Sequence, residues 1–258
     1  MNVPPFGQTR TRVDFDHAII GPDSHVTSPR VNWRNTLGVI LISPAMGAHP
    51  RSPRFVQYLA MMNDASETTS ASPGMQRLVY VLEGRVLLDG KPLKEDDFAW
   101  FPPGDEYRLS GQGAARLLVF EKPYHAQPDH DGSGNGDVTM PARQVGSLTD
   151  VKAEPFMDDD DAMLSTLLPI TPQFDMAVNV FTYQSGATLP FVETHVMEHG
   201  LYMRSGQGVY RLNKSWYPVA KGDSIWMAAY CPQWFVAMGK TSASYIYYKD
   251  IHRDPLIP

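Results

Sequence analysis

Short apolar segments alternate with polar turns along most of this chain. From Leu37 onward, the segments LGVILISP, RFVQYLAMM, QRLVYVLEGRVLL and ARLLVFEK are rich in Val, Leu, Ile, Tyr and Phe, and Gly, Pro, Asn or Asp bounds them. Runs of β-branched and aromatic residues between such breakers are typical of strands. The same texture resumes at Phe174 and continues to SASYIYYKDI near the end of the sequence. The pattern therefore predicts an all-β protein.

Two stretches interrupt the strand pattern and divide the chain. Residues 1–36 are polar and rich in turn formers, and they predict an N-terminal arm. Residues 124–160 begin with a segment of glycines, prolines and few apolar residues, which predicts a linker. The segment MDDDDAMLSTLLP that follows is compatible with a short helical turn. The strand-rich domains are therefore predicted to span residues 37–123 and 161–258.

The two strand-rich parts resemble each other faintly. Gly84 corresponds to Gly206, and the D-x-x-W segment that begins at Asp97 corresponds to the one that begins at Asp223. Both parts share the order strand, glycine turn, strand, acidic turn and D-x-x-W strand. Evenly spaced short strands without intervening helices point to antiparallel sandwiches or small barrels. We therefore expect two similar all-β domains in tandem.

The segment ETHVMEHG concentrates ligand-type side chains within a few residues. Its HVMEH core fits the inverted zinc-protease motif, which requires a helix. Pro190 upstream and Gly200 downstream argue against that helix, and strand-like sequence follows. In a strand, the odd-numbered Glu193, His195 and His199 share one face. This arrangement predicts a metal site inside a barrel.

Composition and charge limit the partners of the protein. The chain has 258 residues and a formal net charge of −6, whereas nucleic-acid and anionic-membrane partners favour a basic face. No apolar run approaches the roughly 18 to 20 residues that cross a bilayer, and no apolar leader opens the sequence. Cys231 is the single cysteine, so no internal disulfide forms. We expect a cytoplasmic protein with a small-molecule substrate and no nucleic-acid or membrane partner.

The ligand-type residues and the glycines around them resemble the two metal motifs of the cupin superfamily. The first motif is matched, with the acid and one histidine exchanged, by Gly186, Glu193, His195, His199 and Gly206. The second motif is matched loosely by Gly222, Ala228, Tyr230 and Gln233, with glutamine in the slot of the last ligand. These departures, together with SGQGVYRL and SYIYYKD, resemble one particular group, the (S)-ureidoglycine aminohydrolase family of bicupins.

The resemblance implies a fold, a reaction and a set of site residues. The fold would be two tandem cupin-type β-barrels, and the reaction would be release of ammonia from (S)-ureidoglycine to give (S)-ureidoglycolate in allantoin degradation. It implies Mn²⁺ as cofactor and assembly into a homo-oligomer. The implied metal ligands are Glu193, His195, His199 and Gln233. The implied substrate-binding residues are Glu193, Gln233, Tyr210, Tyr245 and Lys249, with Lys249 and Tyr210 as catalytic residues.

The ligand set by itself leaves the metal and the chemistry open. One carboxylate, two imidazoles and an amide oxygen suit Mn²⁺ and also permit Fe²⁺, Co²⁺ or Zn²⁺. Two other classes of function remain: a bicupin decarboxylase or dioxygenase acting on a small organic acid, and a cupin that binds a small ligand without catalysis.

The first domain carries no comparable ligand set. Its ligand slots, counted back from Gly84 and matched to the second motif, fall on Ala71, Pro73, Arg77 and Tyr107. Of these side chains only tyrosine is a metal ligand, and a weak one in this setting. The N-terminal barrel is therefore predicted to bind no metal and to act as scaffold.

Overall fold

Strands of two to nine residues form nearly all of the regular structure in the described part of the chain. The computed structural model describes residues 8–46, 53–126 and 140–252. Residues 1–7 of the predicted arm and 127–139 of the predicted linker lie outside these ranges. Two 3-10 helices, Pro22–Ser24 and Leu148–Asp150, accompany the strands. The strands are β1 (Arg12–Val13), β2 (His17–Ile20), β3 (Ser28–Pro29), β4 (Trp33–Arg34), β5 (Leu37–Ile42), β6 (Val56–Met62), β7 (Glu67–Thr68), β8 (Met75–Glu83), β9 (Arg85–Leu88), β10 (Lys91–Lys94), β11 (Asp97–Phe101), β12 (Leu109–Gly111), β13 (Ala115–Pro123), β14 (Gln144–Ser147), β15 (Glu154–Phe156), β16 (Asp159–Thr166), β17 (Met176–Tyr183), β18 (His199–Ser205), β19 (Gln207–Leu212), β20 (Ser215–Ala220), β21 (Ser224–Met227), β22 (Gln233–Ala237) and β23 (Ala243–Asp250).

These strands build two antiparallel barrels, each from a large and a small sheet. In the N-terminal barrel the large sheet has the order β14-β11-β8-β13-β6-β5-β3, and the small sheet has the order β10-β9-β12-β7-β4. In the C-terminal barrel the orders are β1-β2-β21-β18-β23-β17-β16-β15 and β20-β19-β22. The central order β11-β8-β13-β6-β5 matches β21-β18-β23-β17-β16, so the faint sequence repeat reflects two copies of one topology.

The two barrels exchange their leading strands. Strand β2 lies in the segment predicted to be an arm, yet it pairs with β21 of the C-terminal barrel. Strand β14 lies in the predicted linker, yet it pairs with β11 of the N-terminal barrel. Because β11 and β21 are equivalent strands, each half lends one strand to the same position in the other. Arm and linker were predicted from their turn-rich texture, which conceals strands of only four residues.

Side chains of the repeated D-x-x-W strands alternate between the apolar cluster shared by the two barrels and the interior of their own barrel. Trp100 on β11 and Trp226 on β21 are completely buried in one apolar cluster that contains side chains from both barrels. Their neighbours along the strand point the other way, into the interior of their own barrel. Each repeat aspartate also closes its turn in the same way: Asp97 accepts from the amide of Lys94 at 2.9 Å, and Asp223 accepts from that of Ala220 at 2.8 Å.

The acidic segment before β17 is a strand and not the helical turn expected from its sequence. Strands β15 and β16 form a hairpin, and residues 162–166 of β16 pair with β17. Met157 and Asp158 at the hairpin turn have φ values of 54° and 65°, in the left-handed region. Pairing with β15 on one side and β17 on the other therefore outweighs local helix preference. Among the described residues, no helix has the length and apolar character needed to cross a membrane.

Candidate metal centre in the C-terminal barrel

The interior of the C-terminal barrel contains a cavity of about 150 Å³. Every site residue predicted from the sequence lines it. Apolar and aromatic side chains complete its wall. The lining residues are Phe156, Phe181, Leu189, Glu193, His195, Met197, His199, Leu201, Tyr210, Met227, Gln233, Tyr245, Tyr247 and Lys249. A mostly apolar pocket with a few convergent polar groups is the usual form of a small-molecule site.

The segment from Glu193 to His199 is neither the helix of the protease motif nor a continuous strand. Glu193 forms an isolated bridge with Gln233, with two backbone hydrogen bonds of 2.9 Å, and His199 opens β18. Between them the chain forms a loop, in which the carbonyl of His195 accepts from the amide of Tyr230 at 2.7 Å. Exclusion of the helix is confirmed, whereas the shared strand face is wrong: a folded loop brings these side chains together.

Both histidines of the site present the same ring nitrogen to the cavity. The Nδ1 atom of His195 lies 3.1 Å from the carbonyl oxygen of Met197, and that of His199 lies 3.3 Å from the carbonyl oxygen of Tyr248. A carbonyl oxygen only accepts, so each Nδ1 carries the proton and each Nε2 carries a lone pair. The two Nε2 atoms are 3.1 Å apart. Two lone pairs facing each other at this distance fit a cation held between them.

Gln233 completes the convergence. Its Nε2 lies 3.1 Å from Nε2 of His195, and its Oε1 accepts from the hydroxyl of Tyr210 at 3.2 Å. The oxygen and nitrogen of a side-chain amide are interchangeable in such an assignment. The opposite orientation turns the amide oxygen toward the imidazoles, where it provides a third neutral ligand. The Glu193 carboxylate lies farther from His195 than the Gln233 amide does, with Oε2 3.9 Å from His195 Nε2.

Burial controls the charges of these groups. It lowers the pKa of His195, and it lowers that of His199 well below its ordinary value, so both rings are neutral ligands at neutral pH. Burial also raises the pKa of Glu193, and the Lys249 ammonium opposes this shift. Conversely, burial lowers the pKa of Lys249 against the opposing carboxylate of Glu193. The charged forms of Glu193 and Lys249 therefore stabilise each other, while burial opposes both charges.

The tyrosines of the cavity supply hydroxyl donors. Burial raises the pKa of both Tyr210 and Tyr245 well above its ordinary value, so both remain protonated at neutral pH. The hydroxyls of Tyr245 and Tyr183 lie 3.0 Å apart. The sequence interpretation missed Tyr247, whose ring packs edge-on against His199 with centroids 5.5 Å apart. Period-two alternation along β23 carries this signal, because Tyr245, Tyr247 and Lys249 all line the cavity.

The equivalent position in the N-terminal barrel holds a guanidinium group. Arg77 is buried on β8, where β18 has His199, and it donates to Glu121 and to the hydroxyl of Tyr107. Tyr58 donates to the same Glu121 carboxylate at 2.8 Å. Ala71 and Pro73 contribute no ligand atom. An ion pair and two phenols therefore fill the region where the other barrel has its imidazoles.

A second group of ligand-type side chains lies outside the cavity. The ligand atoms of Asp16, His17 and Cys231 all lie within 4.8 Å of one another, and all three residues are buried. Both ring nitrogens of His17 already have partners: Nδ1 lies 2.7 Å from the Asp16 carboxylate and Nε2 lies 2.9 Å from the hydroxyl of Tyr217. Asn213 donates to the other Asp16 oxygen at 2.8 Å. This hydrogen-bonded network joins the leading strand β2 to the C-terminal barrel.

Two tandem antiparallel barrels, one of them with convergent imidazoles, define the class of this protein as bicupin. A cupin barrel-domain protein from Leptotrichia buccalis has the same fold, with a TM-score of 0.57 at 13% identity over 87% of this chain and 92% of the other. The crystal structure of the Escherichia coli protein Ylba matches more closely, with a TM-score of 0.79 at 29% identity over 96% of this chain and 97% of the other.

Sequence comparison narrows the class to one family, although no family model matches the chain. A protein of Arabidopsis thaliana named (S)-ureidoglycine aminohydrolase is 39% identical over 255 residues, which span 97% of this chain and 80% of the relative. The chain belongs to the (S)-ureidoglycine aminohydrolase family.

Proposed function

We propose that this protein releases ammonia from (S)-ureidoglycine by hydrolysis, with a divalent cation, Mn²⁺, held in the C-terminal barrel. The family supports the reaction. The observation that carries the location is the convergence of the Nε2 atoms of His195 and His199, 3.1 Å apart, in the cavity that also contains Lys249. In the reaction the bond from the substrate carbon to its amine breaks, water adds a hydroxyl to that carbon to give (S)-ureidoglycolate, and the remaining proton of water leaves with the amine as ammonia.

His195, His199, Gln233 and Glu193 would hold the cation. Two neutral imidazoles, an amide oxygen and one carboxylate leave a divalent ion with net positive charge, and Mn²⁺ accepts such a mixed oxygen and nitrogen set. When bound, the cation supplies a Lewis acid. The remaining roles fall to side chains of the cavity.

Lys249 would bind the substrate carboxylate and thereby orient the reacting carbon. The Tyr210 hydroxyl lies 3.2 Å from the Gln233 amide, and it would accept from the amide nitrogen when the amide oxygen faces the imidazoles. Tyr245 supplies a further hydroxyl in the same cavity. Because burial raises the pKa of both phenols, they act as hydrogen-bond donors and not as bases at neutral pH. Phe181, together with the aliphatic side chains of the wall, reduces the water content around the substrate.

Ammonia release from freshly prepared ureidoglycine tests this proposal. The Mn²⁺-loaded protein should release ammonia, whereas the His195→Ala variant should lose both Mn²⁺ and activity. His252→Ala, at an exposed histidine outside the cavity, is the matched control and should retain both. Oxalate serves as a negative substrate, since consumption of a small diacid would support the alternative of a bicupin decarboxylase or dioxygenase. Absence of ammonia release by folded, metal-loaded protein would refute the proposal.

A further inference from the structure

The strands that carry His199 and Lys249 end at the boundary between the two barrels. His199 opens β18, Asp250 closes β23, and the backbone register places His199 opposite Lys249. The chain neighbours Glu198 and Asp250 line a different, polar cavity at this boundary, which Arg54 and Lys122 of the N-terminal half also line. Each of the two functional side chains is therefore adjacent in sequence to a carboxylate that faces the other barrel.

Arg54 binds both of these carboxylates. Its backbone amide donates to Glu198 at 3.1 Å, its Nε donates to the same carboxylate at 3.2 Å, and its terminal nitrogen donates to Asp250. Asp250 in turn accepts from the backbone amide of Glu198 at 2.7 Å. The three residues form a closed ring of hydrogen bonds that ties the start of β18 to the end of β23. The Glu198 and Asp250 side chains are only 3% and 10% exposed, whereas the Arg54 side chain that covers them is 49% exposed.

Aromatic packing beside Arg54 reinforces this ring of hydrogen bonds. The ring of Phe55 lies against the ring of Tyr248 with centroids 4.2 Å apart. A Cβ atom at Gly200 would lie 2.4 Å from the Phe55 ring, so glycine is required for this close approach of the two barrels. The carbonyl of Tyr248 is the acceptor that holds Nδ1 of His199. The segment 54–55 of the N-terminal barrel thus fixes the residue that orients a ligand of the other barrel.

We propose that Arg54 is a positioning residue through which the N-terminal barrel sets the metal affinity of the C-terminal site. Arg54 holds Glu198 and Asp250, these hold the ends of β18 and β23, and the Tyr248 carbonyl then fixes the His199 ring with Nε2 toward the cavity. Backbone partners that orient a ligating histidine are part of a metal site. The inference rests on the proposed function only in requiring a divalent cation in this cavity, so it predicts a binding constant independent of the substrate.

Mn²⁺ titration of the full-length protein tests the inference, with free Mn²⁺ followed by its electron paramagnetic resonance signal. Arg54→Met should raise the Mn²⁺ dissociation constant by about tenfold or more, the lower end of the range for lost outer-shell partners. Arg204→Met is the matched control, because Arg204 also forms an ion pair across the barrel boundary, with Asp96, and lies toward the other end of β18. It should change the dissociation constant by less than about twofold while lowering the melting temperature to a comparable extent.

Two further variants separate positioning from loss of folding. Asp250→Asn keeps an acceptor for the Glu198 amide but removes the charge that binds Arg54, and it should weaken Mn²⁺ binding in the same direction. Arg54→Lys retains the charge without the fork that spans two carboxylates, and it should give an intermediate constant. Equal Mn²⁺ affinity in Arg54→Met and wild-type protein, or equal losses in Arg54→Met and Arg204→Met, would overturn the inference, as would wild-type protein that binds no Mn²⁺. If Mn²⁺ binding weakens as expected but wild-type protein releases no ammonia from ureidoglycine, the proposed reaction fails and the inference stands.

Discussion

Replacement of Lys249 by methionine removes the positive charge expected to bind the substrate carboxylate. Among the described residues that line the cavity, Lys249 carries the one ammonium group, because burial lowers the pKa of His195 and His199 and keeps both rings neutral. It lies on β23 opposite His199, so a carboxylate bound to its ammonium places the attached carbon beside the imidazoles. Methionine has a similar length and leaves the barrel packing intact.

The magnitude follows from the strength of a charge-assisted hydrogen bond. Such a contact contributes about 1.5 to 3 kcal/mol. Since each ~1.4 kcal/mol of lost transition-state binding corresponds to a factor of ten, kcat/KM should fall by roughly 10- to 150-fold. Burial lowers the pKa of Lys249, and the negative charge of Glu193 opposes this shift.

The assay is initial-rate ammonia release at limiting ureidoglycine, with metal content measured on the same samples. Lys240→Met, at an exposed lysine outside the cavity, is the control and should retain the wild-type rate. Lys249→Met protein should keep its Mn²⁺, in contrast to His195→Ala. A Lys249→Met variant with undiminished kcat/KM would refute the assigned substrate orientation, because the charge would then make no contact in the transition state.

Other variants test the stability of the two barrels and the metal content of each. Arg77→Met should lower the free energy of unfolding by about 3 to 5 kcal/mol, because it leaves the Glu121 carboxylate without its buried cationic partner. Arg108→Met removes an exposed ion pair and should cost no more than about 1 kcal/mol. Equal unfolding midpoints of the two variants in urea would contradict this. Gly206→Ala should destabilise the protein by at least about 1 kcal/mol, because φ is 71° and a Cβ would lie 2.4 Å from a backbone carbonyl oxygen. Gly186→Ala, at φ 91°, has backbone strain without such a clash, so it should lower the stability less in thermal unfolding. Elemental analysis should find about one tightly bound metal per chain, because among the described residues only the C-terminal barrel has convergent imidazoles. A second metal that survives His195→Ala would show that this assignment is incomplete.

Strand texture and the internal repeat predicted two similar all-β domains, whereas Gln233, Tyr210, Tyr245 and Lys249 were assigned from the family resemblance. The D-x-x-W repeat identified β11 and β21 as equivalent, and both tryptophans occupy the shared core. The period-two rule for strands explains why Tyr245 and Lys249 share a cavity. The rule failed for Glu193 and His195, since a loop has no fixed alternation and its course depends on distant partners such as Gln233.

Contacts distant in sequence account for the other differences. The four residues of β2 are too few to show a strand pattern in the sequence, and their pairing with β21 makes them a strand. Likewise, β16 becomes a strand despite its acidic start, because β15 pairs with it in a hairpin and β17 pairs with residues 162–166. Asp16 and Cys231 meet for the same reason. Assembly into a homo-oligomer, a cytoplasmic location and the identity of the metal stay predictions.

The exchange of leading strands imposes an order on synthesis of the protein. Strand β14 emerges from the ribosome after its partner β11, so the N-terminal barrel can complete its large sheet while translation continues. Strand β2 cannot pair until the C-terminal barrel has been made. His17 and Tyr217, which form a hydrogen bond between β2 and that barrel, are 200 positions apart. At about 5 to 20 residues per second, the wait is roughly 10 to 40 s. During that time Ala18 and Ile19, buried in the finished molecule, are exposed to the solvent and to chaperones. Strand β2 is therefore made well before the strand with which it pairs.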